Sequence, residues 1–146
     1  MNNWDIQEQA FFNRVAFLTS SQYAERRTAL SEFSKAMARE KATWALSCSA
    51  NLFFRGLTDD FNDFDVLIDI KDIEKTESCL TSIGGELLET IQKQYFTSPY
   101  YTEAKFGNVH FDLVGDITVA TFGTEYRYVV KSDEIDFVNL NCNVWV

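Results

Sequence analysis

With 146 residues, 46% of them apolar and 15% aromatic, the chain can bury one domain-sized core, which argues against disorder. Its formal net charge of −9 disfavours nonspecific attachment to a nucleic-acid backbone, which needs clustered Lys and Arg, but it leaves room for a nucleotide whose phosphates arrive with divalent metal. No apolar run approaches the ~20 residues of a membrane span, no basic-then-apolar leader is present, and Cys48, Cys79 and Cys142 lack CxxC spacing, so a reducing cytoplasm is the expected compartment.

Residues 4–18 have helical spacing. Phe11, Val15 and Leu18 recur at i, i+4 and i+7, with Trp4 one heptad before Phe11, and this stripe is the face expected to pack inward. Thr19-Ser20-Ser21-Gln22 has the capping-box pattern. It predicts a second helix running to about Glu40, with Tyr23, Leu30, Phe33 and Met37 on its packed stripe. Residues 43–47 read as a short buried strand. Residues 50–55 allow at most two helical turns, ended by Gly56 at C′.

An Asp- and Asn-rich loop, 57–62, leads to a strand over 63–70. There Phe64, Val66, Ile68 and Ile70 face one way, and Asp63, Asp65, Leu67 and Asp69 the other. Residues 71–83 read as a helix through Ile73, Thr76, Leu80 and Ile83, closed by Gly84-Gly85. A strand is expected over 86–96, broken by Ser98-Pro99. Residues 100–106 and 109–114 then form a hairpin about the turn pair Gly107-Asn108. Taken literally, that turn pairs Phe106 with Val109, Lys105 with His110, Ala104 with Phe111 and Glu103 with Asp112. Ala104, Phe106, Val109, Phe111 and Leu113 become core; Glu103, Lys105, His110 and Asp112 take the other face. Strand-like pieces follow at 117–122, 125–130 and 137–146, the last broken around Asn141-Cys142-Asn143.

Three features carry chemistry. Asp63 and Asp65 share a strand face roughly 7 Å apart, a spacing at which two carboxylates converge on a hard cation. Ser47-Cys48-Ser49 ends a strand where a helix begins, and free N–H groups there suit a phosphate. Glu103 opposite Asp112 sets like charges side by side, which calls for compensation by the diagonal Lys105 or by a bound cation. Asp69 lies two pleats beyond Asp65 and reads as a strand-end or helix-start residue. His110 and Arg55 read as surface or structural residues. Cys48 has no base placed beside it for nucleophilic chemistry.

These residues resemble the signature of the nucleotidyltransferase superfamily that includes DNA polymerase beta. That signature is a strand ending in Gly-Ser or Gly-Gly, then Asp-x-Asp about a dozen residues on, then a distant Asp on another strand. Here Cys48-Ser49 is followed, after thirteen residues, by Asp63-Phe64-Asp65, and Asp112 stands in Val-His-Phe-Asp-Leu-Val. The likeness covers residues 43–114 and is greatest to small stand-alone bacterial members. It implies an α+β fold with a mixed β-sheet flanked by helices. The chain would be one domain: two N-terminal helices within 4–40, a core over 43–114 and C-terminal strands over 116–146.

The resemblance also implies an NTP substrate and two Mg²⁺ ions held by Asp63, Asp65 and Asp112. Ser47, Cys48, Ser49 and nearby backbone N–H groups would take the β- and γ-phosphates. A nucleoside monophosphate would pass to a small-molecule or protein hydroxyl, releasing pyrophosphate; neither a polynucleotide nor a membrane is an expected partner. The chain departs from the pattern at Cys48, where the family usually has Gly. That departure, and the short stretch after residue 114, keep a second reading in view: a module of the same fold that binds nucleotide or a partner without catalysis. A homodimer would complete the acceptor wall, with Val144-Trp145-Val146 at its interface.

Overall fold

The computed structural model describes residues 2–88, 98–121, 123–128, 135, 137–140 and 143–146. Helix α1 (Asn3–Thr19) is followed by a 3-10 turn (Ser21–Tyr23) and helix α2 (Ala24–Glu40). Strand β1 (Trp44–Ser47) runs directly into the short helix α3 (Cys48–Phe54). Then come β2 (Phe64–Ile68), a second 3-10 turn (Ile70–Asp72), α4 (Ile73–Ser82), β3 (Glu86–Leu88), and the hairpin of β4 (Tyr100–Phe106) and β5 (Val109–Gly115). These strands form one sheet in the order β1-β2-β5-β4-β3. Only β2 and β5 pair in parallel, which makes the sheet mixed. Two further antiparallel pairs are β6 (Ile117–Thr121) with β7 (Thr124–Tyr128), and β8 (Phe137–Asn139) with β9 (Asn143–Trp145).

The hairpin register is the one that Gly107-Asn108 dictates, from Phe106 opposite Val109 to Glu103 opposite Asp112. Period-two alternation then sorts the sheet into faces. Trp44, Leu46, Phe64, Val66, Ile68, Ala104, Phe111 and Leu113 are buried on one of them. Phe33 of α2 meets that face edge-on against Trp44, with ring centroids 5.0 Å apart, and lies 5.2 Å from Phe111. Phe17, Tyr23, Phe53, Phe54 and Phe61 extend the cluster toward α1 and α3. Each such ring, fully buried, contributes about 1.5–3 kcal/mol. The Arg26 guanidinium closes the cluster, 4.5 Å over the Tyr23 ring and 5.0 Å over Phe61.

Helix α1 turns most of its expected stripe outward; of the four residues only Leu18 packs against the core. Trp4, Phe11 and Val15 are 79%, 56% and 41% exposed, while Phe17 and Asn13 point inward. Two tertiary contacts set this orientation. The buried Asn13 amide donates to the Phe53 and Thr58 carbonyls at 2.7 and 2.8 Å, and its oxygen accepts from Gln9. Gly56 presses against the helix so closely that a Cβ there would meet the Ile6 carbonyl oxygen at 2.2 Å and the Ala10 nitrogen at 2.6 Å. Gly56 also ends α3 with φ +78°, as its position predicted.

The capping box over residues 19–22 does not form. Thr19 is the last residue of α1 and donates to its own Val15 carbonyl, and Ser20 accepts from the Gln22 N–H instead. A reciprocal box does exist at Asn2 and Asp5, opening α1. Asp63 lies one residue before β2, and Ile70 opens a 3-10 turn, so the strand is shorter than its alternation suggested. Most of the strand expected over 86–96 lies outside the described residues, as do residue 122, residues 129–130 and residues 141–142 of the C-terminal pieces. Val146 is buried in the chain's own core and its carbonyl accepts from Arg55 Nη2, so it does not offer a free interface surface.

Candidate functional site

Strand pairing builds a single row across the second face of the sheet. Ser47 of β1 pairs with Asp65 of β2, Asp65 with Asp112 of β5, and Asp112 with Glu103 of β4. Laterally paired residues share a face, and neighbouring strands lie ~4.8 Å apart. Three half-buried carboxylates therefore stand on three adjacent strands, with a serine at the end of the row. Of the acidic residues singled out from sequence, the structure brings Asp65 and Asp112 side by side. Asp63 is exposed and stands at the entry to β2, outside the pairing register.

Tyr101 was not anticipated. It shares a face with Glu103, two residues on, and its hydroxyl donates to Glu103 Oε1 at 3.4 Å. Burial pushes its pKa up to about 12, reinforced by the negative charge of Asp112, Glu103 and Asp65. One phenol thus senses all three carboxylates of the row. The signal for it was present in the alternation of β4. Its neighbour Tyr100 instead donates to Glu77 of α4 at 2.6 Å and ties the sheet to that helix.

At the serine end of the row the backbone makes a sharp turn from β1 into α3. Cys48 sits at φ +52°, in the left-handed region that favours glycine. The turn that a Gly would make is therefore kept by a cysteine, whose side chain is exposed. Ser47 precedes it in extended backbone and makes no side-chain cap. Its hydroxyl instead donates to the Asp65 carbonyl at 3.2 Å, with Cys48 Sγ 3.8 Å away. Asn51 fastens α3 back to β1 by donating to the Leu46 carbonyl at 3.1 Å. Ser49, half-buried, follows in the first turn of α3.

The remaining candidates fall outside the row. Asp69 caps the turn at the end of β2, accepting from the Lys71 N–H at 3.1 Å, as a strand-end residue would. His110 is exposed on β5. Asp72, which sequence patterning gave no reason to single out, is a buried carboxylate that accepts from the Thr43 N–H at 2.9 Å, with Lys75 Nζ 3.7 Å away. It locks the entry of β1 to α4.

Among the described residues no three His, Cys, Asp or Glu side chains stand close enough to form a metal cage of their own. The donor chemistry of the row nevertheless fits Mg²⁺. That ion takes hard oxygens, keeps several waters, and is commonly held by one or two carboxylates together with substrate phosphates. The neighbouring Asp65 and Asp112 offer such a pair.

No protein-family model and no curated sequence matches the chain. Its structure is similar to that of TM1012 from Thermotoga maritima, a proposed nucleotidyltransferase. The TM-score is 0.69 at 16% identity over 84% of this chain and 77% of that one. It is also similar to ANT(2″)-Ia, solved in complex with adenylyl-2″-tobramycin, with TM-score 0.58 and 11% identity over 82% and 67% of the two chains. The lincosamide antibiotic adenylyltransferase LnuA, bound to lincomycin, gives 0.53 and 18% over 80% and 78%. Sheet order, flanking helices and these likenesses agree: the chain has the nucleotidyltransferase fold.

Proposed function

We propose that the chain is a nucleotidyltransferase that moves a nucleoside monophosphate from an NTP to a hydroxyl of a small molecule, with ATP as the first donor to try. The in-register pair Asp65–Asp112, one strand from Ser47, is the observation that carries this reading. The names of the similar structures support it, since two of them are adenylyltransferases of small molecules by name or by their bound product.

In this reading Ser47, Cys48, Ser49 and the backbone N–H groups at the start of α3 receive the β- and γ-phosphates. Asp65 and Asp112, the pair that stands in register, would hold Mg²⁺ together with the phosphates, and the ion would supply charge neutralisation at the attacking and leaving oxygens; Asp63, exposed at the entry to β2, would join them only through the ion's water. With that ion between them, Asp65 and Asp112 would set where the α-phosphate lies on the row. The acceptor oxygen forms a bond to the α-phosphorus as the bond to the bridging oxygen breaks. The bonding pair leaves with pyrophosphate, and the hydroxyl proton passes to the Asp112 carboxylate.

Calorimetric titration with Mg·ATP tests the reading. Wild type should bind, and Asp65→Asn should bind at least tenfold more weakly. Absence of binding by wild type would sink the proposal. The alternative, a binding module without turnover, draws on Cys48 at the usual glycine position. It gains if wild type binds Mg·ATP yet neither it nor Cys48→Gly releases pyrophosphate with tobramycin or lincomycin.

A further inference from the structure

We infer that Glu103 binds the acceptor and that Tyr101 is the positioning residue that holds it there; this rests on the reading above. The order of the row places both residues. Ser47, at the phosphate end, lies on β1; Asp65, Asp112 and Glu103 follow on β2, β5 and β4. At ~4.8 Å per strand, the Glu103 backbone is roughly 10 Å from Asp65 and roughly 14 Å from Ser47.

In an in-line displacement the nucleophile enters opposite the leaving group. Pyrophosphate leaves toward Ser47, so the acceptor hydroxyl arrives over β5 and β4. The first side chains it meets beyond Asp112 are Glu103 and Tyr101. Glu103 lies directly opposite Asp112 in the hairpin, and Tyr101 donates to it at 3.4 Å. A carboxylate one strand beyond the reacting centre recognises a second hydrogen-bond donor on the acceptor. The acceptor class is therefore a vicinal diol or an amino alcohol, with one group reacting and its neighbour held by Glu103. Tyr101 restrains the Glu103 carboxylate, so the two residues work as one wall.

Donor and acceptor arms separate the possibilities. In the donor arm, Mg²⁺ with α,β-methylene-ATP is titrated by calorimetry into wild type, Glu103→Gln, Tyr101→Phe and Asp65→Asn. Glu103→Gln and Tyr101→Phe should bind within threefold of wild type while Asp65→Asn loses tenfold or more. If Glu103→Gln weakens the analogue as Asp65→Asn does, Glu103 serves the donor and the inference is overturned. If wild type itself does not bind, the nucleotidyltransferase reading fails and this inference falls with it.

In the acceptor arm, pyrophosphate release is followed with ATP and either tobramycin or lincomycin. Glu103→Gln should raise the acceptor KM tenfold or more with the ATP KM within twofold, and Tyr101→Phe should do the same to a smaller degree. An unchanged acceptor KM in Glu103→Gln overturns the assignment. If wild type binds the analogue yet turns over neither compound, the inferred acceptor class is wrong and the inference is overturned, while the donor reading stands.

Discussion

Replacing Cys48 by Gly should stabilise the protein, and the expected size follows from the backbone. At φ +52° a residue with a Cβ costs about 1–2 kcal/mol relative to one without. Glycine gives back about 0.5–1 kcal/mol through the extra freedom of the unfolded chain. The Cys48 side chain is exposed, so little packing is lost with it. The net gain is about 0.5–1 kcal/mol, or roughly 1–4 °C in Tm for a chain of this size. Urea unfolding and differential scanning calorimetry would measure it. Cys48→Ala is the control, since it removes the sulfur but keeps the Cβ, and it should leave stability within about 0.5 kcal/mol of wild type. Equal stabilisation by Ala and Gly would refute the backbone argument and locate the strain in the thiol. Loss of stability in Cys48→Gly would mean that the turn is held by side-chain contacts rather than by the left-handed backbone.

Other outcomes follow from single contacts. Gly56→Ala puts a Cβ into the α1 backbone, at a position that also has φ +78°, and should lower stability by about 3–5 kcal/mol in urea unfolding. Asn13→Ala orphans the Phe53 and Thr58 carbonyls where the amide now serves them and should lower stability by about 2–4 kcal/mol, with the loss of α1 protection visible in hydrogen exchange. The Tyr101 pKa is raised from about 10 in the unfolded chain to about 12 in the fold. Its contribution to stability is therefore complete below pH 10 and is lost as pH rises through 12. Tyr101→Phe should show a shallower alkaline decline than wild type across that window, read by unfolding at stepped pH.

Much of the core was legible because two local rules acted together. Alternation in residues 63–70 and 100–114 assigned Phe64, Val66, Phe111 and Leu113 to one face, and the two-residue Gly107-Asn108 turn allowed only one register. Helix α1 obeyed no such rule. Its apolar residues run nearly all round, with Trp4, Ile6, Ala10, Phe11, Phe12, Val15 and Phe17 spread over every side. Periodicity then has no single answer. The choice fell to contacts made some forty residues away in sequence, by Gly56 and by the carbonyls that Asn13 serves. The capping box failed for a related reason. Thr19 and Ser20 are both good caps, and which one is used depends on where α1 stops.

The candidate site divides along the same line. Asp112 was placed opposite Glu103 by a two-residue turn, a local feature. Its position beside Asp65 depends on the parallel pairing of β2 with β5, two strands joined through α4, β3 and β4. No propensity or spacing specifies that pairing; only the resemblance implied it. Parallel neighbours need a long crossover, and which strands it joins is decided by how the helices between them cover the sheet. The same pairing completes the row of three carboxylates, and it explains why Tyr101, unremarkable on β4 alone, comes under the charge of Asp65 two strands away. A row of like charges on adjacent strands is unfavourable by itself. It persists here on a sheet whose opposite face is packed with aromatic rings, so the register cannot slip by one residue without moving Asp65, Asp112 and Glu103 into that core. The hydrophobic face thus holds the acidic face in place, and the core residues keep together carboxylates that would otherwise separate.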